Sequence, residues 1–145
     1  MKLSLKIALL AAVAALLAGC CACRTYQKRT RRPLVETRWQ LIRLGGKTVQ
    51  PEEGSFTILF AAEGTLSGTG ACNRLTAHYE ADDTRALKIG PVAATRMTCP
   101  DLALEQEFVA AMESTTHYDM DGPMLMLLCD GELRAVLQAL PAEQK

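Results

Sequence analysis

Eleven apolar residues, Ile7 to Leu17, stand between the bases Lys2 and Lys6 and the small pair Ala18-Gly19 that precedes Cys20. A basic start, a short apolar run and small residues in that order make a secretory signal peptide. A membrane-spanning helix needs about 20 apolar residues, so the run is too short to be kept as a span and is expected to be cut away. Residues 1–19 therefore contribute nothing to the folded domain. The chain beyond them is expected to fold outside the cytoplasm, where cysteines can pair.

Leu17-Ala18-Gly19-Cys20 resembles the lipobox of bacterial lipoproteins. The resemblance implies acylation of the Cys20 thiol and cleavage of the bond before it. Cys21 and Cys23 are poor rivals, because only Cys20 has a leucine three residues upstream. Two or more acyl chains hold a protein stably on a bilayer where one does not, so the expectation is a lipid-anchored chain. In some Gram-negative bacteria Asp after the lipidated cysteine retains a lipoprotein in the inner membrane. Here Cys21 stands there, which points to the outer membrane.

The formal charge of +0 conceals an asymmetry. Arg24, Lys28, Arg29, Arg31 and Arg32 come after the anchor with no acid among them, whereas all sixteen Asp and Glu lie beyond Pro33. A nucleic-acid patch is excluded for an exported chain that never meets the chromosome. Two readings of residues 20–33 stand: a neck attracted to anionic headgroups at about 1 kcal/mol per base, or a solvated tether.

From Pro33 the texture becomes short strand-like runs between turn signals. Trp39 to Arg43 forms a first strand closed by Gly45-Gly46. Phe56, Ile58 and Phe60 share one face at period two, as in a half-buried strand. Further strands are expected over Thr65–Gly68, Leu75–Glu80 and Ala86–Ile89, where Pro91 ends the run. Pro100-Asp101 suits a first helical turn, and Leu104, Phe108, Ala111 and Met112 recur at helical spacing. That predicts a helix over 101–114. Strands then return at Thr116–Met120, Met124–Cys129 and, after the hairpin pair Asp130-Gly131, Leu133–Leu137. The fold class is mainly β (α+β), a small antiparallel barrel-like curved sheet with one packed helix. The domain covers 34–141, and 142–145 form a disordered end.

Ser67-Gly68-Thr69-Gly70-Ala71-Cys72-Asn73-Arg74 with Tyr79, and Thr95-Arg96-Met97-Thr98-Cys99, resemble the two motifs of the META domain family, that of HslJ-like bacterial lipoproteins. Trp39-Gln40-Leu41 ahead of them, and Glu105 and Phe108 behind, agree with it. Ala71 stands where the family often has Gly, and Thr76-Ala77-His78 lacks a frequent Gly. The resemblance implies a small barrel-like fold with one helix, similar to lipid-anchored secretion pilots. It implies no enzymatic activity, and a role in envelope integrity under heat and antibiotic stress.

With Cys20 lipidated, five cysteines remain, so one stays free or pairs between molecules. The two motifs favour a Cys72–Cys99 disulfide, with the other body pairings and no bond still open. Cys129 reads as a small buried hydrophobe, and Cys21 and Cys23 as exposed tether thiols. His78 and His117 lack metal-ligand spacing and read as surface or rim residues. No motif calls for a cofactor, and none places a nucleophile beside a base.

Asn73, Arg74, Thr95 and Arg96 form a candidate partner or ligand surface where the motifs would meet. In the competing structural reading Asn73 satisfies a turn, Arg96 pairs with body acids, and Gly68 and Gly70 permit a bend. Leu104, Phe108 and Met112 should face Phe56, Ile58, Phe60 and the Met124–Leu128 run. The helix–sheet groove beside them is a second candidate site, for a lipid or an envelope protein, against a fully closed core. Three functions compete: a non-catalytic envelope lipoprotein acting through partner or ligand binding, a lipid- or peptide-binding or inhibitory module, and, third, a thiol hydrolase.

Overall fold

The computed structural model describes Ile7, Thr25, Tyr26 and residues 28 to 141. The rest of the expected signal peptide, the expected lipid-bearing Cys20, Cys21, Cys23 and the end 142–145 lie outside the described residues. The order of elements is β1 (Arg38–Leu44), β2 (Lys47–Thr48), β3 (Thr57–Phe60), β4 (Thr65–Thr69), β5 (Arg74–Ala81), β6 (Leu87–Ile89), β7 (Ala93–Ala94), α1 (Leu102–Glu113), β8 (His117–Asp121), β9 (Met124–Cys129) and β10 (Glu132–Ala139).

Turn chemistry sets the hairpins. Asp130 and Gly131 have φ of 49° and 86°, positive at both positions as the twist-matched two-residue hairpin turn requires. Gly45 and Gly46, at 52° and 82°, do the same between β1 and β2. After β5, Asp82 Oδ1 accepts from Thr84 N at 2.8 Å and Ala86 N at 3.1 Å, a side-chain-made turn.

The strands pair antiparallel in the order β6-β5-β4-β3-β1-β10-β9-β8, with β2 on β1 and β7 on β5. The two ends of this path meet. Leu87 N donates to Thr116 O and Tyr118 N to Arg85 O, both at 3.0 Å, so the sheet curls into a nearly closed barrel. Register shifts between Leu41 and Arg43 and between Leu133 and Ala135 bend β1 and β10, as bulges do.

Inside, Trp39, Leu41, Ile58, Phe60, Leu66, Leu75, Leu125, Leu127 and Leu137 are buried, the inward half of each alternation. α1 packs against β1, β10 and β6 and inserts Phe108 and Met112. Phe108 meets Phe56 edge-on at 6.0 Å between ring centroids, and Phe60 meets Tyr79 at 4.9 Å. Trp39 Nε1 donates to Leu34 O at 3.0 Å, satisfying the indole where it is buried.

Two expectations need correcting. The sheet does not end at Pro91: Ala93-Ala94 returns to pair with Leu75 and Thr76, a strand too short to show a period. Gly68 does not mark a bend, since the β4 ladders keep register through it, whereas Gly70 does open the bend over residues 71–73, its N donating to Asn73 O at 2.8 Å. Both also mark close approach. A Cβ on Gly68 would fall on the Thr57 carbonyl, and one on Gly70 on the Glu105 side chain.

Candidate functional site

The two motifs converge on a carboxylate. Glu105 lies in the first turn of α1, three residues before Phe108 and on the same buried face. It is 3% exposed. Its Oε2 accepts from Cys72 N and Asn73 N, both at 3.1 Å, and its Oε1 from Asn73 Nδ2 at 2.7 Å. Gly70 lets the carboxylate pass. Burial pushes the Glu105 carboxyl up, but the hydrogen bonds from Cys72 and Asn73 outweigh it, and the group titrates below its ordinary value. A charged acceptor on two main-chain amides and a side-chain amide is a strong clasp.

Asn73 extends the clasp to the second motif. Its Oδ1 accepts from Met97 N at 2.7 Å and Thr95 Oγ1 at 2.9 Å, and its Nδ2 also reaches Met97 O at 3.2 Å. Thr95 Oγ1 in turn accepts from Arg74 N at 3.1 Å. The Cys72–Cys99 disulfide, with Cα atoms 6.3 Å apart, closes the same junction covalently. Cys129 is a free, half-buried thiol.

The candidate surface therefore divides. Asn73, at 2% exposure, is a structural member, whereas Arg74, Thr95 and Arg96 are exposed. The expected pairing of Arg96 with body acids is not seen: among the described residues Arg96 makes no ion pair. Tyr79, the motif tyrosine, donates from Oη to Ala61 O at 2.7 Å, and burial, with Glu36 and Glu63 nearby, raises its pKa. His78 and His117 are exposed on β5 and β8.

The groove beside the helix is not where the sequence put it. Phe108 and Met112 are buried in the core and Leu104 packs against it, because this stripe is the one that faces the barrel. A groove of about 430 Å³ runs instead along the neighbouring stripe, between α1 and the strap after β7. Leu102, Val109 and Glu113 line one wall, and Thr95, Arg96 and Met97 the other. Met97 is 59% exposed. Glu105 and Met97 were named from sequence only as parts of the family resemblance, and their place in the site was missed. A carboxylate in line with Phe108 on an apolar helical face was the available signal for the first.

A small, nearly closed antiparallel barrel with one helix clasped to it through two motif loops defines a class of compact β domains. The sequence matches the META domain over residues 32–142, and the chain belongs to the META domain family, which is not a known enzyme family. Its fold is similar to that of a DUF4847 family protein from Bacteroides vulgatus ATCC 8482 (TM-score 0.58, 18% identity, covering 77% of this chain and 96% of that one). It is similar also to a protein from Burkholderia xenovorans solved by NMR (TM-score 0.58, 23% identity, 75% and 85% covered) and to a further NMR structure (TM-score 0.57, 21% identity, 70% and 87% covered). At these identities the likeness concerns the fold. No curated protein matches the sequence.

Proposed function

We propose that this chain is a lipoprotein of the bacterial envelope, held on the outer membrane by lipid on Cys20, whose META domain supports envelope integrity under stress by binding a partner or ligand, without catalysis. The observation that carries the non-catalytic part is the clasp. Cys72 and Cys99 are consumed by a disulfide, and the oxygens of Glu105 and Asn73 are consumed by motif amides and a hydroxyl. These polar groups position loops. What the junction offers outward is Arg74, Thr95, Arg96 and Met97.

The test is a deletion strain challenged with heat, detergent and large hydrophobic antibiotics. It is complemented with the parent, with Cys20→Ser and with Arg96→Ala/Met97→Ser. Resistance restored by the parent and by neither variant supports both the anchor and the surface. A deletion strain as resistant as its parent counts against the envelope role, and full mature lipoprotein processing of Cys20→Ser overturns the anchor.

A second reading, a lipid- or peptide-binding module, is favoured by the groove. Leu102, Val109 and Met97 give it apolar walls, with Arg96 as a cation beside them. Native mass spectrometry of the purified protein decides it: a co-purifying ligand lost in a Val109→Asp variant supports the module, and a bare chain refutes it.

A further inference from the structure

The strap after β7 is fastened along one side only. Thr95 N donates to Arg74 O at 3.2 Å. Met97 N donates to Asn73 Oδ1 at 2.7 Å, and Met97 O accepts from Asn73 Nδ2 at 3.2 Å. In an extended chain successive residues turn their N–H and C=O to opposite sides. With Thr95 and Met97 bonded toward β5, Ala94 and Arg96 present theirs to the far side. Ala94 lies opposite Leu75, yet among the described residues the main-chain N–H and C=O of Ala94 and Arg96 have no partner within the chain. Residues 93 to 98 are all exposed.

A bare strand edge is a template for another chain. The two ends of the strand path cover each other, through bonds such as Leu87 N to Thr116 O, but nothing covers this edge among the described residues. The edge is also set in advance. The Cys72–Cys99 disulfide and the Asn73 clasp hold the strap extended, so little ordering remains to be done when something binds.

What lies beside the edge says what fits it. The groove of about 430 Å³ separates it from α1, with Leu102 and Val109 on the helix and Met97 on the strap. An acyl chain laid there would shut the main-chain groups of Ala94 and Arg96 off from water without bonding them, which is costly. An extended peptide bonds them, as in strand addition, and its side chains alternate between the groove and solvent. Charge narrows the choice further. Of the ionisable residues lining the groove, Glu105 is spent in the clasp and Glu113 Oε1 accepts from Val92 N at 2.8 Å. Arg96 makes no ion pair among the described residues. The charge left unmet is positive.

We propose that the open edge of residues 94–96 takes an extended, acidic segment of another protein as an additional strand, laid in the groove between the strap and α1. Alternate apolar residues of the segment rest on Leu102, Met97 and Val109, and a carboxylate meets Arg96. This narrows the module reading given above and rests on it. Two open residues make a short ladder, so the contact is weak and exchangeable.

The test follows hydrogen exchange of single amides by NMR in the full chain on phospholipid nanodiscs. The probes are a pool of acetylated hexapeptides alternating Val, Ile or Leu with Asp or Thr, the same pool with Lys in place of Asp, and dodecanoate. The Asp pool should slow exchange at Ala94 and Arg96 by about tenfold or more, while Thr95 and Met97, already bonded, change less. N-methylation of alternate peptide bonds in the pool should weaken binding by about fivefold or more, as loss of a hydrogen bond does. Arg96→Glu, on an exposed residue, should reverse the preference to the Lys pool and leave the melting temperature unchanged. Equal binding of the methylated pool, protection at other strands only, or no response to either peptide pool overturns the proposal. Failure of the module reading looks different. Dodecanoate that shifts the Leu102 and Val109 methyls without protecting Ala94 and Arg96 keeps the module and removes the strand. A groove that answers to none of the probes, in a chain that is bare in native mass spectrometry, removes both.

Discussion

Replacing Glu105 by Gln keeps the shape of the clasp and reverses the polarity of one of its two acceptor positions. In the parent, Oε2 serves the Cys72 and Asn73 amides and Oε1 serves Asn73 Nδ2. Three donors face a group that in the variant has one acceptor and one donor. If the Gln oxygen serves the main-chain amides, its NH2 meets Asn73 Nδ2. If Asn73 turns its amide to relieve this, its Oδ1 leaves Met97 N and Thr95 Oγ1. One hydrogen bond to a charged acceptor is lost whichever way the amides turn, and the remaining two become neutral. At the low end of the range for a bond to a charged group, about 1.5 kcal/mol against about 1 for a neutral one, the lost bond and the two weakened ones together cost about 2.5 kcal/mol. For a domain of this size that is roughly 8–12 °C in melting temperature. pH gives a second axis. The carboxyl titrates below its ordinary value in the folded protein, so its contribution is fully present above about pH 4.3, the unfolded value. It is lost as pH falls through the folded value. The gap between parent and Gln variant, followed by calorimetry, should therefore be constant from neutrality down to mild acid and close below that. A gap of less than about 2 °C at neutral pH, or one that widens in acid, would refute the clasp as the element joining helix to motifs.

The Cys72→Ser/Cys99→Ser variant opens a loop with a sequence separation of 27 and should lose about 3–4 kcal/mol; parent and variant should melt alike once the parent is reduced. Gly70→Ala places a methyl on the Glu105 side chain and should cost about 1–3 kcal/mol as overpacking. Combined with Glu105→Ala, the Gly70→Ala change should lose most of its own effect, and an additive double variant would sink that explanation. Phe108→Ala removes a fully buried ring between α1 and Phe56 and should cost about 3–5 kcal/mol in chemical denaturation, whereas a cost under about 1 kcal/mol would place Phe108 outside the core.

The strands were legible wherever a physical signal was local. Phe56, Ile58 and Phe60 stand at period two and all three are buried. Asp130-Gly131 takes the positive φ pair its side chains allow. The helix, read as 101–114, forms over Leu102–Glu113. β2 and β7 were not legible, because two residues carry no periodicity and their existence depends on partners: Arg43 and Leu44 for one, Leu75 and Thr76 for the other. Closure of the sheet likewise rests on bonds such as Leu87 N to Thr116 O, between segments whose sequences say nothing about each other.

The site was half legible for a related reason. Sequence can mark Asn73 and Thr95 as polar residues in motifs, but burial decides what a polar residue does. Asn73 has every polar group of its side chain committed, to Glu105 on α1 and to Thr95 and Met97 on the strap. It is therefore a fastening between elements. Arg96, one residue beyond Thr95, has no such commitment among the described residues and stands over the groove. The same division explains why the groove moved. Leu104, Phe108 and Met112 are the strongest apolar stripe of α1, and the strongest stripe is the one a barrel buries. A recognition groove on a small domain must be built from what burial leaves over: here the weaker stripe of Leu102 and Val109, and a strap that the clasp holds at a fixed distance from the helix. Any change that loosens Glu105 from Asn73 should thus move the groove walls before it unfolds the barrel.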